Sequence, residues 1–533
     1  MKNFLLLGAT SLTLVFAAPA CAAPTDINGV KNIIVIVNDG GGPTVYDATR
    51  MYLGKPLVTD GAGFARTFVS THPLRPDSSA NNRPGSLIQD PAVVYDTAKF
   101  WNTTPKAGIS TEAGYATPAF AQAGFSALVG PLYPAAFVGY EFSRFAHPDS
   151  GNTASSIATG VKTYNNAINV DGAGDPQIAI TDLIDLANGR GKRTGVVSTV
   201  QVSDATPAAL GGAHNIARAN RTAIAFEMFS SGKLDVIGGT GNPDFNDDGL
   251  PRTPTYSWIE AGLWSDLKAG TNASGGNAQK WTLLQDRTAI DAMAANSGNA
   301  AWQESMKAPK FAFVLKGDNS SQFNRTNTVK RADGVTPINA TEDTVYGTPL
   351  KTSVPSQAAL TLAALNALDN ASQGFYLMSE AGAVDRAEHA NNTARMIEEQ
   401  IASDDTVKAI IEWVDRADTK ADWGNTLLII TADHDHLLYG PNGDTVPFQP
   451  LTDKGAGVVP GNKWFGPNHG TGLVPLYAYG KGAKQIVAAA NKVDDTGVDL
   501  VNPADGKSYR LGNGAYLDQT DLGTILKKIV QSK

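Results

Sequence analysis

Asn32-Ile-Ile-Val-Ile-Val37 runs directly into Asn38-Asp39-Gly-Gly-Gly42. An unbroken apolar run of this length, rich in β-branched residues, reads as a strand buried on both faces, the kind that parallel sheets use. An aspartate stands just past its end. The pattern recurs twice. Phe375-Tyr-Leu-Met378 precedes Glu380, Asp385 and His389, and Leu427-Leu-Ile-Ile-Thr-Ala432 precedes Asp433-His434. Open α/β sheets place their sites outside the carboxyl ends of their strands. Three strands that each end in carboxylates or histidines therefore predict one shared set of metal ligands.

Outward from these runs, strands and helices alternate. Thr194–Val200, Lys233–Gly239, Lys310–Leu315 and Pro475–Tyr479 read as strands. Ile178–Ala187 and Gln357–Leu368 read as helices. Arg395–Val414 carries a helical stripe at Ile397, Ile401, Val407, Ile411 and Val414. Such alternation predicts an α/β fold, a three-layer α/β/α sandwich around a mainly parallel sheet. Residues 71–125 and 240–350 are rich in Gly, Pro, Asn, Ser and Thr. They read as long loop insertions in one domain spanning 23–533.

The 533 residues are 42% hydrophobic and carry a net charge of −8. An acidic chain argues against nucleic-acid binding, whose usual footprint is a basic patch. Residues 1–22 read as a signal peptide: Lys2, an apolar stretch from Phe4 to Phe16, and Ala20-Cys21-Ala22 as a small-x-small cleavage site. Cleavage after Ala22 would remove the only cysteine and send the chain to the periplasm or outside the cell. Acylation of Cys21 as a lipoprotein fits less well, because Ala18-Pro19-Ala20 is a poor lipobox. No later apolar run reaches the roughly 18 residues of a membrane span.

Three further segments carry chemistry. His147-Pro-Asp-Ser150-Gly-Asn-Thr-Ala-Ser-Ser would put a serine at a helix N-terminus, where an anion is favoured. Ser203-Asp204-Ala-Thr206-Pro supplies oxygens suited to Mg²⁺ and leads to Arg218, whose planar fork suits phosphate. His469 lies in the glycine-rich turn Asn468-His-Gly-Thr-Gly472. Asp244, Asn246 and Asp248 have the spacing of a calcium loop, but Thr255 stands at the twelfth position where a glutamate would be needed.

Taken in order, these motifs resemble the alkaline phosphatases over most of the mature chain. The resemblance rests on Asn38-Asp39-Gly-Gly-Gly, Asp149-Ser150 with Thr159-Gly-Val-Lys-Thr-Tyr-Asn165, and Asp204-Ala-Thr-Pro with His214 and Arg218. Glu380-Ala-Gly-Ala-Val-Asp-Arg-Ala-Glu-His389, Thr431-Ala-Asp-His-Asp-His436 and His469-Gly-Thr-Gly complete it. It implies two Zn²⁺ and one Mg²⁺. Asp385, His389 and His469 would bind one zinc. Asp39, Asp433 and His434 would bind the second, with Ser150. Asp39, Thr206 and Glu380 would bind magnesium. Ser150 would be the nucleophile, forming a covalent phosphoserine, and Arg218 would hold the phosphate of a small-molecule monoester.

Smaller expectations accompany this one. His436 would orient a ligand from behind, and Arg386 would pair with Asp204 near the phosphate. His214 would sit on the helix that carries Arg218, and His72 and His147 in loops. Asn152 and Ser155 depart from the family's nucleophile segment, which leaves Thr153 as a rival nucleophile. Family members are often dimers, so a homodimer is expected unless the insertions block it. A phosphodiesterase or sulfatase of the same superfamily and a non-catalytic phosphate-binding protein are the alternatives.

Overall fold

The computed structural model describes residues 27–81, 85–106, 136–175, 182–270, 280–295, 310–326 and 344–532. The signal-like stretch 1–22 with Cys21, and parts of both expected insertions, lie outside the described residues. In chain order the strands are β1 (Asn32–Val37), β2 (Ala65–Ser70), β3 (Arg193–Gln201), β4 (Val236–Thr240) and β5 (Thr282–Leu284). Then come β6 (Phe311–Val314), β7 (Phe375–Glu380), β8 (Thr426–Thr431), β9 (Asp435–Tyr439) and β10 (Lys463–Gly470). The last five are β11 (Val474–Gly480), β12 (Lys492–Asp494), β13 (Asp499–Val501), β14 (Ser508–Arg510) and β15 (Gly514–Asp518).

Eleven of them form one sheet in the order β12-β15-β2-β11-β8-β1-β7-β3-β4-β6-β5. The pairs from β8 across to β5 are all parallel. β11 runs antiparallel to both of its neighbours. The mainly parallel sheet expected from the apolar runs is present.

Alternate residues of β1 enter different cores. Ile33, Val35 and Val37 pack with the helices Ser150–Thr159, Arg221–Ser230 and Gln519–Gln531. Ile34 and Ile36 pack with Gln357–Leu368 and Thr393–Val414. A sheet with helices on both faces needs apolar side chains on both sides of each strand, which is why its strands read as continuous apolar runs.

Register then sets the site. Val37 of β1 pairs with Glu380 of β7 and with Thr431 of β8, and Glu380 pairs with Ser198 of β3. Four adjacent strands thus end in a row, and the residues just past them meet.

Two expectations need correction. The 240–350 stretch is not only loop: besides the expected strand at 310–315, which is β6, it supplies β5 and the helices Ala261–Ala269 and Arg287–Ala294, and so builds one edge of the sheet. The short β5 is obscured by its polar surroundings. The helix expected at 178–187 runs Leu183–Gly189, capped by Asp182, whose side chain accepts from the Asp185 N–H. Residues 176–181 lie outside the described set. β2 and the β9–β10 hairpin carried no clear apolar period and were not expected.

Leu377, on β7, is fully buried. Leu377→Ala should cost about 2–5 kcal/mol by lost burial and residual cavity, read as a lower urea midpoint.

Candidate metal centre and nucleophile

Asp149 organises the segment around Ser150, the candidate nucleophile. It N-caps the helix Ser150–Thr159 and accepts from the Asn152 N–H, while the Asn152 side chain accepts from the Asp149 N–H at 2.8 Å. Asn152 therefore completes a capping box. Ser150, the first helical residue, is 2% exposed, and its hydroxyl lies 3.3 Å from His434 Nε2. The rival Thr153 spends its hydroxyl on the Asp149 carbonyl at 2.9 Å. Ser155 Oγ accepts from the Asn169 N–H at 2.8 Å.

The other Asp149 oxygen receives Arg218 Nη1 at 2.9 Å, and Arg218 Nη2 donates to Asp204 Oδ1 at 2.8 Å. Arg218 and His214 are not on a helix, contrary to expectation. The helix Ala205–Leu210 stops at Gly211, and Gly212 has φ +75°. His214 lies in the loop that follows, where its backbone N–H and its ring both meet the Glu227 carboxylate. Arg386 pairs with the second Asp204 oxygen. Burial opposes ionisation of Asp204, but Arg386 and Arg218 hold its carboxyl down at about 2.

Asp385, His389, His436 and His469 bring one ligand atom each within 4.8 Å of one another. Asp385 and His389 share a face of the helix Ala383–His389 by their i, i+4 spacing. His469 and His436 are register partners on β10 and β9. His469 Nδ1 meets the Pro148 carbonyl at 2.8 Å, and His389 Nδ1 meets that of Pro467. Each contact puts the proton on Nδ1 and leaves the Nε2 lone pair for a cation. His436 Nε2 instead lies 2.8 Å from Asp385 Oδ1. It is placed to orient that carboxylate, which leaves three donors and an open position.

Asp39, Asp433 and His434 form a second cluster. His434 Nε2 lies 3.3 Å from Asp39 Oδ1 and 3.2 Å from Asp433 Oδ2. The rings of His434 and His469 stack at 3.5 Å, so the two clusters adjoin. Glycine is required at position 40: φ is +79°, and a Cβ would sit 1.9 Å from Glu388 Oε2. Glu380 accepts from Ser198 Oγ at 2.5 Å.

Asp39 Oδ1, Asp433 Oδ2 and Thr206 Oγ1 are buried with no hydrogen-bond partner among the described residues. Buried oxygens are rarely left so. Burial, then neighbouring Asp433, Asp385 and Glu380, raise Asp39 well above the usual carboxylate range. Burial lifts Glu380 to about 8, Asp435 to about 7 and Asp433 to about 6. This excess of buried acid fits divalent cations, and these donors could hold them: mixed imidazole and carboxylate in two clusters, oxygen alone at Asp39, Thr206 and Glu380.

Other predicted residues lie elsewhere. His147 approaches His469, with ring centres 6.0 Å apart, but belongs to neither cluster. His72 lies 3.5 Å from Asp518. In the Asp244 loop, Asp244 Oδ2 accepts from Trp264 and Lys268, and Asp248 accepts from Thr326. Asn246 Oδ1 caps the Asp248 and Leu250 N–H groups. Ser198, Glu388 and the two proline carbonyls were not anticipated; only the pairing of β3 with β7 reveals Ser198.

An open α/β sheet with two donor clusters beside a buried serine defines a class of metal-using α/β proteins. The alkaline phosphatase family model matches residues 140–502. Alkaline phosphatase H of Pseudomonas aeruginosa is 29% identical over 356 residues, 65% of this chain and 71% of that protein. The Escherichia coli alkaline phosphatase is 27% identical over 368 residues, 65% and 72% of the two chains. The Thermus thermophilus alkaline phosphatase structure shares the fold at TM-score 0.52 and 16% identity, covering 93% of this chain and 90% of that one. A TAB5 alkaline phosphatase variant solved with Mg in its M3 site does so at TM-score 0.52 and 17% identity, over 95% and 99%. The chain belongs to the alkaline phosphatase family. Among the described residues no helix is long and apolar enough to cross a membrane.

The raised carboxylates set a pH dependence for the metal-free protein. Glu380 at about 8 and Asp435 at about 7 keep protons that the unfolded chain has released above about 4. Folding then takes up protons, so this stability is lost as pH rises through the folded values. Buried His436, lowered to about 3 by burial, works the opposite way, but only below about 6.5. Chelated protein should therefore lose thermal stability between pH about 6.5 and about 8, and Zn²⁺ with Mg²⁺ should abolish the loss. Equal melting temperatures across that window would contradict the assignment.

Proposed function

We propose that this chain hydrolyses phosphate monoesters through a covalent phosphoserine at Ser150, as one catalytic domain exported to the periplasm or beyond the cell. The observation that carries the reading is the double use of Asp149. One carboxylate oxygen caps the helix that begins with Ser150, and the other holds Arg218 at 2.9 Å. Nucleophile and phosphate fork are thereby fixed to one side chain.

Asp385, His389 and His469 would hold one Zn²⁺, Asp39, Asp433 and His434 a second, and Asp39, Thr206 and Glu380 a Mg²⁺. Such ions supply positive charge opposite the entering and leaving oxygens and favour an ionised serine. The chain's own groups do the rest. Ser150 Oγ loses its proton and attacks phosphorus; the Oγ–P bond forms as the ester P–O bond breaks, and the alcohol leaves with a proton from water. Water then attacks the phosphoserine from the opposite side, the P–Oγ bond breaks, and Ser150 Oγ takes up a proton from that water as phosphate is released. The free N–H groups of the helix N-terminus and the Arg218 fork bind the charge on the non-bridging oxygens. Arg386, tied to Asp204, adds positive charge at the mouth of the site.

The test is initial-rate hydrolysis of p-nitrophenyl phosphate against bis-p-nitrophenyl phosphate at alkaline pH, before and after chelation. Monoester turnover that chelation removes and Zn²⁺ with Mg²⁺ restore is expected. A preference for the diester would overturn the reading.

Ser150→Ala should lower kcat on the order of 10³-fold or more while phosphate still binds. Arg218→Ala loses charge-assisted hydrogen bonds and should lower kcat/KM about 10²-fold.

A further inference from the structure

Ser198 belongs to none of the motifs that suggested the site, yet it makes one of the shortest contacts in it. It pairs with Glu380 across β3 and β7 and is 1% exposed. Its hydroxyl lies 2.5 Å from Glu380 Oε2 and accepts from the Val200 N–H at 2.9 Å. A hydroxyl has one proton. Because Val200 donates to Ser198, that proton is free to go to Glu380. The β3–β4 pairing shifts register between Val197 and Gln201, a bulge just past Ser198. Bulges re-aim side chains beside sites, and this one turns the Val200 N–H back onto Ser198 Oγ. The next residue reinforces the arrangement: Thr199 Oγ1 accepts from the Ala383 N–H at 3.1 Å, which ties the bulge to the segment following Glu380.

Glu380 needs such a hold. Its carboxyl is buried at 1% exposure near Asp39, Asp433 and Asp204, and among the described residues no cationic side chain pairs with it. Left alone, it would turn away from like charge. We propose that Ser198 is a positioning residue for magnesium: by fixing Oε2 it presents the remaining oxygen of Glu380 toward Asp39 and the unpartnered Thr206 Oγ1. This rests on assigning Asp39, Thr206 and Glu380 to Mg²⁺. Groups that orient a ligand typically matter 10–100-fold for metal affinity.

Mg²⁺ alone is titrated by calorimetry into the purified, zinc-loaded wild type and into Ser198→Ala, Ser198→Cys and Ser198→Thr, with zinc content measured in parallel. Ser198→Ala and Ser198→Cys, which remove or weaken the donor, should lower Mg²⁺ affinity about tenfold or more at unchanged zinc content. Ser198→Thr, which keeps the hydroxyl, should stay within about threefold of wild type. If Ser198→Ala fails to fold, Ser198→Cys decides. Wild-type affinity in the Ala and Cys variants would overturn the role of Ser198 while leaving the magnesium site standing. Absence of Mg²⁺ binding by the wild type would overturn the magnesium assignment itself.

Discussion

Asp39, Glu380, Asp385, Glu388, Asp433 and Asp435 are buried beside one another, each at 5% exposure or less. Packing so many carboxyls away from water is costly unless cations meet them. Three features answer that constraint. Arg218 and Arg386 converge on Asp204 at the mouth. Histidines 389, 434, 436 and 469 face the carboxylates from a helix, the turn after β8 and the β9–β10 hairpin. Several oxygens have no hydrogen-bond partner among the described residues, as oxygens that meet a divalent ion would.

Space for this arrangement comes from small residues. A Cβ at Gly470 or Gly472 would lie 2.6 or 2.3 Å from an Asp435 carboxylate oxygen, and one at Gly42 would lie 2.7 Å from Asp435 Cβ. Asp435 accepts from the Gly472 N–H at 2.8 Å and so pins the turn that follows His469. The glycines of the first and last motifs thus serve one buried aspartate. Neighbouring carbonyls do similar work for the imidazoles: those of Pro148 and Pro467 select the protonated nitrogen of His469 and His389. The residue next to the cap of the Ser150 helix therefore also orients a candidate metal ligand.

Local order in the sequence and closeness in space diverge most around Arg218. It reaches Asp149 across 69 positions, from a loop that two glycines begin. Its backbone N–H is held by the Asn166 carbonyl at 2.7 Å, and Asn166 itself donates to Asp149 Oδ1. The guanidinium is fixed from both ends, which spares a bound anion the cost of ordering it.

The sequence alone determined the central strands, because burial on both faces demands continuous apolar runs that stay legible without a partner. It also determined the helix start at Ser150, since the cap is local to Asp149 and Asn152. The residue types after β1, β7 and β8 marked candidate metal ligands for the same reason: strand ends are local features. What lay beyond sequence was whatever depends on pairing between distant segments. The opposition of Ser198 to Glu380 is a matter of β3–β7 register. The orientation of His436 toward Asp385 depends on a hairpin meeting a helix. The edge strand β5 was hidden because a short strand in a Gly- and Asn-rich stretch is defined by the neighbour it pairs with.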